Sequence, residues 1–155
     1  IIFRLPCYYE NFGKRLLKSQ KLYFTEIGLA TWLLGIREPA QVARDPLFGG
    51  LFENMVVLEA LKARCNAGKE PDLYFFRDSA GTEVDLLFRK ASDQLIPTEI
   101  KGAMTWNKDF AANICKLRKL SPKFTSGFVV YSGDMTPISN DVKYINFKDA
   151  AQIVD

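Results

Sequence analysis

The sequence predicts an α+β domain in which a central mixed sheet is flanked by helices, with the core order α-β-β-β-α-β and an N-terminal strand and helix extension. Three observations predict it. A long amphipathic segment at 51–67 reads as a helix. Three strand-like segments follow at 73–77, 83–89 and 94–101, joined by short polar turns that suit an antiparallel meander. A second amphipathic segment, 107–120, then leads to the apolar run 127–132, which reads as a strand buried on both faces. A strand, helix and strand after hairpins point to a mixed sheet with helices on it. At 155 residues the chain fits one domain of this kind, with the extension over 1–45 and the core over 46–155.

Residues 1–9 and 21–24 read as strands around a polar link, 13–21, that carries Lys14, Arg15, Lys18 and Lys21. The link reads as a solvated loop anchored by Leu16 and Leu17; the sharper alternative is the β-hairpin wing of a winged helix. Thr25 can N-cap a helix through Ile27, Leu29, Ala30, Leu33 and Leu34, with Gly35 near its end. Pro39 and Pro46 punctuate a loop with a short helical turn between them.

In the long helix, Phe52, Met55, Val56, Val57, Leu58, Leu61 and Cys65 supply the apolar positions and Gly68 stops it. Spacing puts Glu53 on the face of Val57, Ala60 and Leu61, while Glu59 turns toward Lys62 and Asn66. In 107–120, Phe110, Ile114, Leu117 and Leu120 share one side, and Pro122 closes the segment. A last strand is expected at 142–147 and a helical turn at 150–154.

The composition narrows the chemistry. With 48% hydrophobic and 13% aromatic residues the chain can build a core, and a net charge of +3 permits an anionic partner without demanding one. Cys7, Cys65 and Cys115 are odd in number and far apart, which argues against zinc and a disulfide framework and makes a reducing cytoplasm the default. Cys65 and Cys115 fall in helical patterns and are expected in the core. No apolar run is long enough to cross a membrane. The start lacks Met and a signal-peptide pattern, so a piece of a longer protein is expected. Histidine is absent, which removes Ser-His-Asp and Cys-His catalysis in their usual forms, and there is no GxxxxGK[ST] nucleotide loop. Carboxylates, lysine, hydroxyls or a hard metal ion remain.

Asp85, Glu99 and Lys101 are the leading candidates. Alternation places Glu99 and Lys101 on one face of their strand, and Asp85 can meet that face if the two strands are neighbours. Two carboxylates and an ammonium at one spot can hold a divalent cation beside a phosphate. A solvent-facing hairpin with alternating charges gives the same letters through cross-strand pairing. The element order, Glu53 on the apolar side of the preceding helix, and Asp85 in a strand that is apolar on both faces at Leu86-Leu87-Phe88 shift the balance toward a site.

This pattern resembles the PD-(D/E)XK superfamily, the fold of many restriction endonucleases. That core is α-β-β-β-α-β, with an acidic residue on the second strand, (D/E)xK on the third, and often a Glu on the first helix; Asp85, Glu99-Ile100-Lys101 and Glu53 match those places. The literal Pro71-Asp72 opens the first strand and reads as a turn. A closer resemblance covers most of the chain. Residues 21–30, 50–54, 74–78, 81–85 and 99–101 together look like the domain of unknown function at the C-terminus of many bacterial and archaeal AAA-type ATPases. That family commonly has Asp where this chain has Glu26. It implies an N-terminal P-loop ATPase and a winged-helix linker in the same protein, and its own biochemical role is unsettled.

The superfamily resemblance implies a Mg²⁺ (or Mn²⁺) site formed by Asp85, Glu99, the carbonyl of Ile100, and Glu53 directly or through water. Lys101 is then expected to orient or help deprotonate the attacking water, or to stabilise charge on the phosphorane. DNA is the expected partner, with Lys14, Arg15, Lys18, Arg77 and Lys108 as candidate phosphate contacts. For each of these the alternative is a solvated surface charge, and Arg77 can instead pair with Asp78. Trp106 is a base-stacking candidate or, as packing predicts, a cover for the helix after it. Two rival readings stand beside a DNA-cutting nuclease: a nuclease-like module that recognises DNA or protein and regulates the attached ATPase, and a domain for oligomerisation.

Overall fold

A computed structural model describes residues 1–9 and 19–155. Lys14, Arg15 and Lys18, and with them most of the basic link, lie outside the described residues. The chain runs β1 (Ile2–Leu5), β2 (Lys21–Phe24), α1 (Ile27–Leu33), α2 (Pro39–Val42), α3 (Phe48–Asn66), β3 (Leu73–Arg77), β4 (Glu83–Ala91) and β5 (Gln94–Lys101). A 3-10 turn (Lys108–Ala111) leads into α4 (Ala112–Arg118), then β6 (Gly127–Tyr131), β7 (Ile138–Ser139), β8 (Val142–Asn146) and a closing 3-10 segment, Phe147–Val154. The predicted α-β-β-β-α-β order is present as α3-β3-β4-β5-α4-β6.

Six strands form one mixed sheet in the order β3-β4-β5-β6-β8-β7. β3, β4 and β5 are an antiparallel meander, as the short turns require; β6 joins β5, and β8 joins β6, in parallel. The longer connection through α4 makes the parallel step possible. β1 and β2 pair antiparallel as a separate two-stranded unit. Past β1 the chain lies along β3: the Tyr8 N–H donates to the Phe75 carbonyl (2.7 Å) and the Phe75 N–H to the Pro6 carbonyl (3.0 Å). The outer edge of β3 is thereby covered rather than left open.

Both faces of the sheet are packed. On one, Phe52, Val56, Val57 and Ala60 of α3 meet Leu86, Phe88, Ile96, Ile100, Val130 and Ile145, joined by Leu5 and Tyr23 of the hairpin. On the other, Leu117 of α4 and Phe124 pack on Val84, Leu87 and Leu95, and Ile114 packs near Val129, Tyr131 and Tyr144. Each fully buried Leu or Val here contributes about 1.5–3 kcal/mol. Gly127 starts β6 where a Cβ would run into the Pro97 carbonyl, so the β5–β6 approach depends on glycine. Gly68, at φ 67°, ends α3 as its position predicts.

Four expectations are corrected. Glu26, not Thr25, is the N-cap of α1, and its side chain makes no capping bond; the extra methylene of Glu places its carboxylate poorly for that role. The 107–120 segment is a 3-10 turn followed by a helix that ends at Arg118, and Leu120 is exposed; the Asn107 side chain caps the turn at the Asp109 N–H and winds it tightly. Cys65 is exposed and Cys115 half-buried, whereas Cys7 is buried. In the last turn of α3 the packing is done instead by Arg64, whose guanidinium lies 4.9 Å from the Phe88 ring centroid and pairs with Asp72. Arg77 does not pair with Asp78. Its partner is Glu83 across the β3–β4 ladder, while Asp78 is buried and accepts the Ala80 and Thr82 N–H groups within its own turn.

Candidate functional site

The site forms where β4 and β5 separate. Their ladder ends at Leu86 opposite Thr98, so the next residues back along β4 and forward along β5 have no strand partner in each other. A β-bulge shapes the β4 side. Between the pairs Tyr74–Leu87 and Phe76–Val84, β3 advances two residues while β4 advances three. The extra residue lies at Asp85-Leu86 and breaks the alternation: Val84 and Leu87 join one core, while Leu86 and Phe88 join the other. Asp85 is thereby aimed into the gap. Its Oδ2 accepts the Ile100 N–H at 2.8 Å, taking the place of a strand carbonyl.

Glu99 and Lys101 share a face of β5, opposite to Ile96 and Ile100, which join the α3-side core. The Lys101 ammonium lies 2.6 Å from Glu99 Oε2 and 3.6 Å from Asp85 Oδ2. Asp85, Glu99 and Lys101 therefore converge. Glu99 is 1% exposed, and its Oε1 is buried with no hydrogen-bond partner. Burial, then the Asp85 charge, push its carboxyl up to about 7 against the pull of Lys101. Asp85 is also raised, first by burial and further by Glu53, with Lys101 opposing. Burial works against the charge of Lys101, but the two carboxylates outweigh it and hold the ammonium above its ordinary range.

α3 brings Glu53 from the other side, and here the hairpin enters. The buried Asn54 amide clamps Phe24 of β2 by accepting its N–H (2.9 Å) and donating to its carbonyl (2.8 Å). That docks Lys21 and Tyr23, two residues apart on one face of β2, over Glu53. The Tyr23 hydroxyl donates to Glu53 Oε1 at 2.5 Å, and the Lys21 ammonium to the same oxygen at 2.9 Å. Lys21 also lies 2.8 Å from Glu83 Oε1 and 3.8 Å from Asp85 Oδ1. Burial of Lys21 opposes its charge, but Glu53, Glu83 and Asp85 more than offset it and raise its pKa. Glu83 is held below the usual carboxylate range because Lys21 and Arg77 outweigh its burial. Asp85 is thus the hub of two linked groups, one with Glu99 and Lys101, the other with Lys21, Glu53 and Glu83.

Lys21, Tyr23, Asn54 and Glu83 were not identified as site residues from sequence. Glu83 carried a signal, since it stands two residues before Asp85 on a strand. Lys21 and Tyr23 carried a weaker one, their i, i+2 spacing, which says nothing about what they face. Among the other candidates, Arg77 is engaged with Glu83 (2.7 Å from Nε) and Lys108 is exposed on the 3-10 turn. Trp106 packs edge-on against Tyr144. Asp72 of the Pro-Asp pair is held by Arg64.

A cation placed here would meet carboxylate oxygens, which suit a hard ion. Among the described residues, no group of three carboxylates or thiols is arranged to hold a metal ion as it stands. The Lys21 ammonium lies between Glu53, Glu83 and Asp85. Among the described residues, no helix is long and apolar enough to cross a membrane.

Residues 1–40 match a family model described as a domain of unknown function, DUF8612. An uncharacterized protein of Mycobacterium bovis and one of Mycobacterium tuberculosis are each 34% identical to this chain over 105 residues. The match covers 68% of this chain, which spans about a quarter (23%) of the length of those relatives. No solved structure matches the chain. Residues 48–149 match the family model for a second domain of unknown function, DUF4143. That match takes in Glu53, Glu83, Asp85, Glu99 and Lys101 and most of the chain, which therefore belongs to the DUF4143 family.

Proposed function

We propose that this domain is a restriction-endonuclease-like nuclease of the PD-(D/E)XK type, hydrolysing DNA phosphodiesters with Mg²⁺ or Mn²⁺, within a longer protein that also carries an AAA-type ATPase. One observation supports it above the others. Half-buried Asp85 and buried Glu99 lie beside Lys101 at the separated ends of β4 and β5, and Glu99 Oε1 makes no hydrogen bond. A structural ion-pair network gains nothing from a buried, unsatisfied carboxylate oxygen, which costs about 1–3 kcal/mol or more.

In this reading Asp85, Glu99, the Ile100 carbonyl and Glu53 hold the ion. When bound, Mg²⁺ supplies Lewis acidity at the scissile phosphate and a more acidic water. The chain's own contribution lies in placement and charge. The Ile100 N–H fixes the Asp85 carboxylate, and the bulge aims it. Burial keeps Glu99 basic enough to bind a cation strongly once its proton is lost. Lys101, held by both carboxylates, presents an N–H donor to the attacking water or to the charge that grows on the phosphate oxygens. Arg77 and Lys108, with Lys14, Arg15 and Lys18, are the cations proposed for backbone contact.

The second reading is a nuclease-like module that no longer cuts and instead recognises DNA or protein to regulate the ATPase. The Lys21 ammonium between Glu53, Glu83 and Asp85 favours it, because it satisfies carboxylates that a nuclease would leave to a metal. Cleavage of linear and supercoiled DNA with Mg²⁺ or Mn²⁺ separates the two. Metal-dependent cutting that Asp85→Ala abolishes supports the nuclease; millimolar metal without cutting, and DNA binding unchanged in the variant, supports the regulatory module.

A further inference from the structure

We infer that Lys21 is a tethered counter-ion that competes with the divalent cation for this site, so that metal enters only as the Lys21 ammonium leaves. The inference rests on the metal-site reading above and adds a regulatory element to it, supplied by the N-terminal hairpin. Three carboxylates converge on Lys21 Nζ: Glu53 Oε1 at 2.9 Å, Glu83 Oε1 at 2.8 Å and Asp85 Oδ1 at 3.8 Å. Two of them, Glu53 and Asp85, are proposed metal ligands. The Glu53 oxygen that faces Lys21 also accepts the Tyr23 hydroxyl, so the donor oxygen is doubly committed before any ion arrives. A +1 charge and a +2 ion within about 4 Å of the same oxygens repel by several kcal/mol even in a screened interior. Both cannot hold the cluster at once.

The hardware for exchange is present. Asn54 pins the β2 backbone at Phe24, so the strand stays docked while the lysine side chain turns on its own four-carbon stem. The ammonium passes 5.4 Å from the Phe75 ring centroid, which gives a cation a favourable surface near its present place. Glu83 retains Arg77 when Lys21 withdraws, so that carboxylate is not left bare. Asp85 Oδ1 then loses its ammonium partner, and Glu53 Oε1 keeps only the Tyr23 hydroxyl.

The test uses the 155-residue chain and Mn²⁺ alone as the probe. Lysine acylation followed by mass spectrometry reads the exposure of each ammonium in the wild-type protein across a Mn²⁺ titration, with the surface Lys62 as internal reference. Lys21 labelling that rises several-fold in step with metal occupancy, at constant Lys62 labelling, supports the competition; Lys21 that stays protected at metal saturation overturns it. Calorimetric titration of Lys21→Met provides the second arm. Mn²⁺ binding tightened about tenfold or more is expected from removing a competing charge, and affinity unchanged or weakened overturns the inference. If neither protein binds Mn²⁺, this inference and the metal-site reading fall together. If Lys21 responds to bound metal and DNA is not cut, the nuclease reading alone falls.

Discussion

Asp85 is bonded to the main chain of Ile100: its Oδ2 accepts the Ile100 N–H at 2.8 Å and so stands in for the carbonyl that β4 would otherwise offer β5. The carboxylate therefore has a structural duty, whatever chemistry is proposed for it. Asp85→Asn keeps an acceptor for the Ile100 N–H, while Asp85→Ala leaves that donor unpaired. Asp85→Ala is expected to lose about 1–3 kcal/mol more stability than Asp85→Asn in urea denaturation, with both variants losing metal affinity. Equal stability in the two variants would show that the bond does not hold β4 to β5.

Glu99 gives the fold a pH dependence with a definite sign. Its native pKa of about 7 lies above the ordinary 4.5, so the native state holds this proton more tightly than the unfolded chain. The stabilisation is complete below about pH 4.5 and is lost as pH rises through 7, on the order of 3 kcal/mol in all. Glu99→Gln, which cannot ionise, is expected to be more stable than wild type at pH 8 and to approach it at pH 4.5. A stability difference that does not change between the two pH values would contradict the placement of a costly charge at Glu99.

The Asn54 amide joins the hairpin to α3 through two hydrogen bonds to Phe24. Asn54→Ala is expected to cost about 2–3 kcal/mol and to speed hydrogen exchange at the Phe24 amide far more than at Val129 in the middle of β6. Uniform acceleration across the sheet would mean the clamp is not local.

Glu26 occupies the N-cap of α1 without capping it. Glu26→Asp shortens the side chain enough to reach the free N–H groups of the first turn and is expected to stabilise the chain by about 0.5–1 kcal/mol. A thermal melting point that stays level or falls would argue against it.

Much of the fold was legible because each strand and helix declares itself locally. The meander follows from turns of a few residues between 73 and 101, and the buried β6 from an unbroken apolar run. Glu99 and Lys101 were legible as a pair because strand alternation is a local rule. Asp85 was reachable only through the neighbouring strand, and the bulge that aims it could not be read, since Leu86-Leu87-Phe88 is apolar whichever way the pleat falls. Lys21 was counted among the cations of a loop; nothing in its own neighbourhood tells that Asn54, far along the chain, would dock it on Glu53. Cys65 misled for the opposite reason. Helical spacing assigns a face but not how far along the helix that face stays covered.

The hairpin clamp has an evolutionary consequence. The two family matches divide this chain between residues 40 and 48, yet the charge balance straddles that division: Lys21 and Tyr23 come from one side, Glu53, Glu83 and Asp85 from the other. A relative that keeps every carboxylate but pairs its sheet with a different leading segment inherits the acidic cluster without its counter-ion. Two proteins with identical acidic motifs can therefore differ in how those carboxylates are neutralised, and the difference would be written in a stretch of sequence that an inspection of the motif never reads.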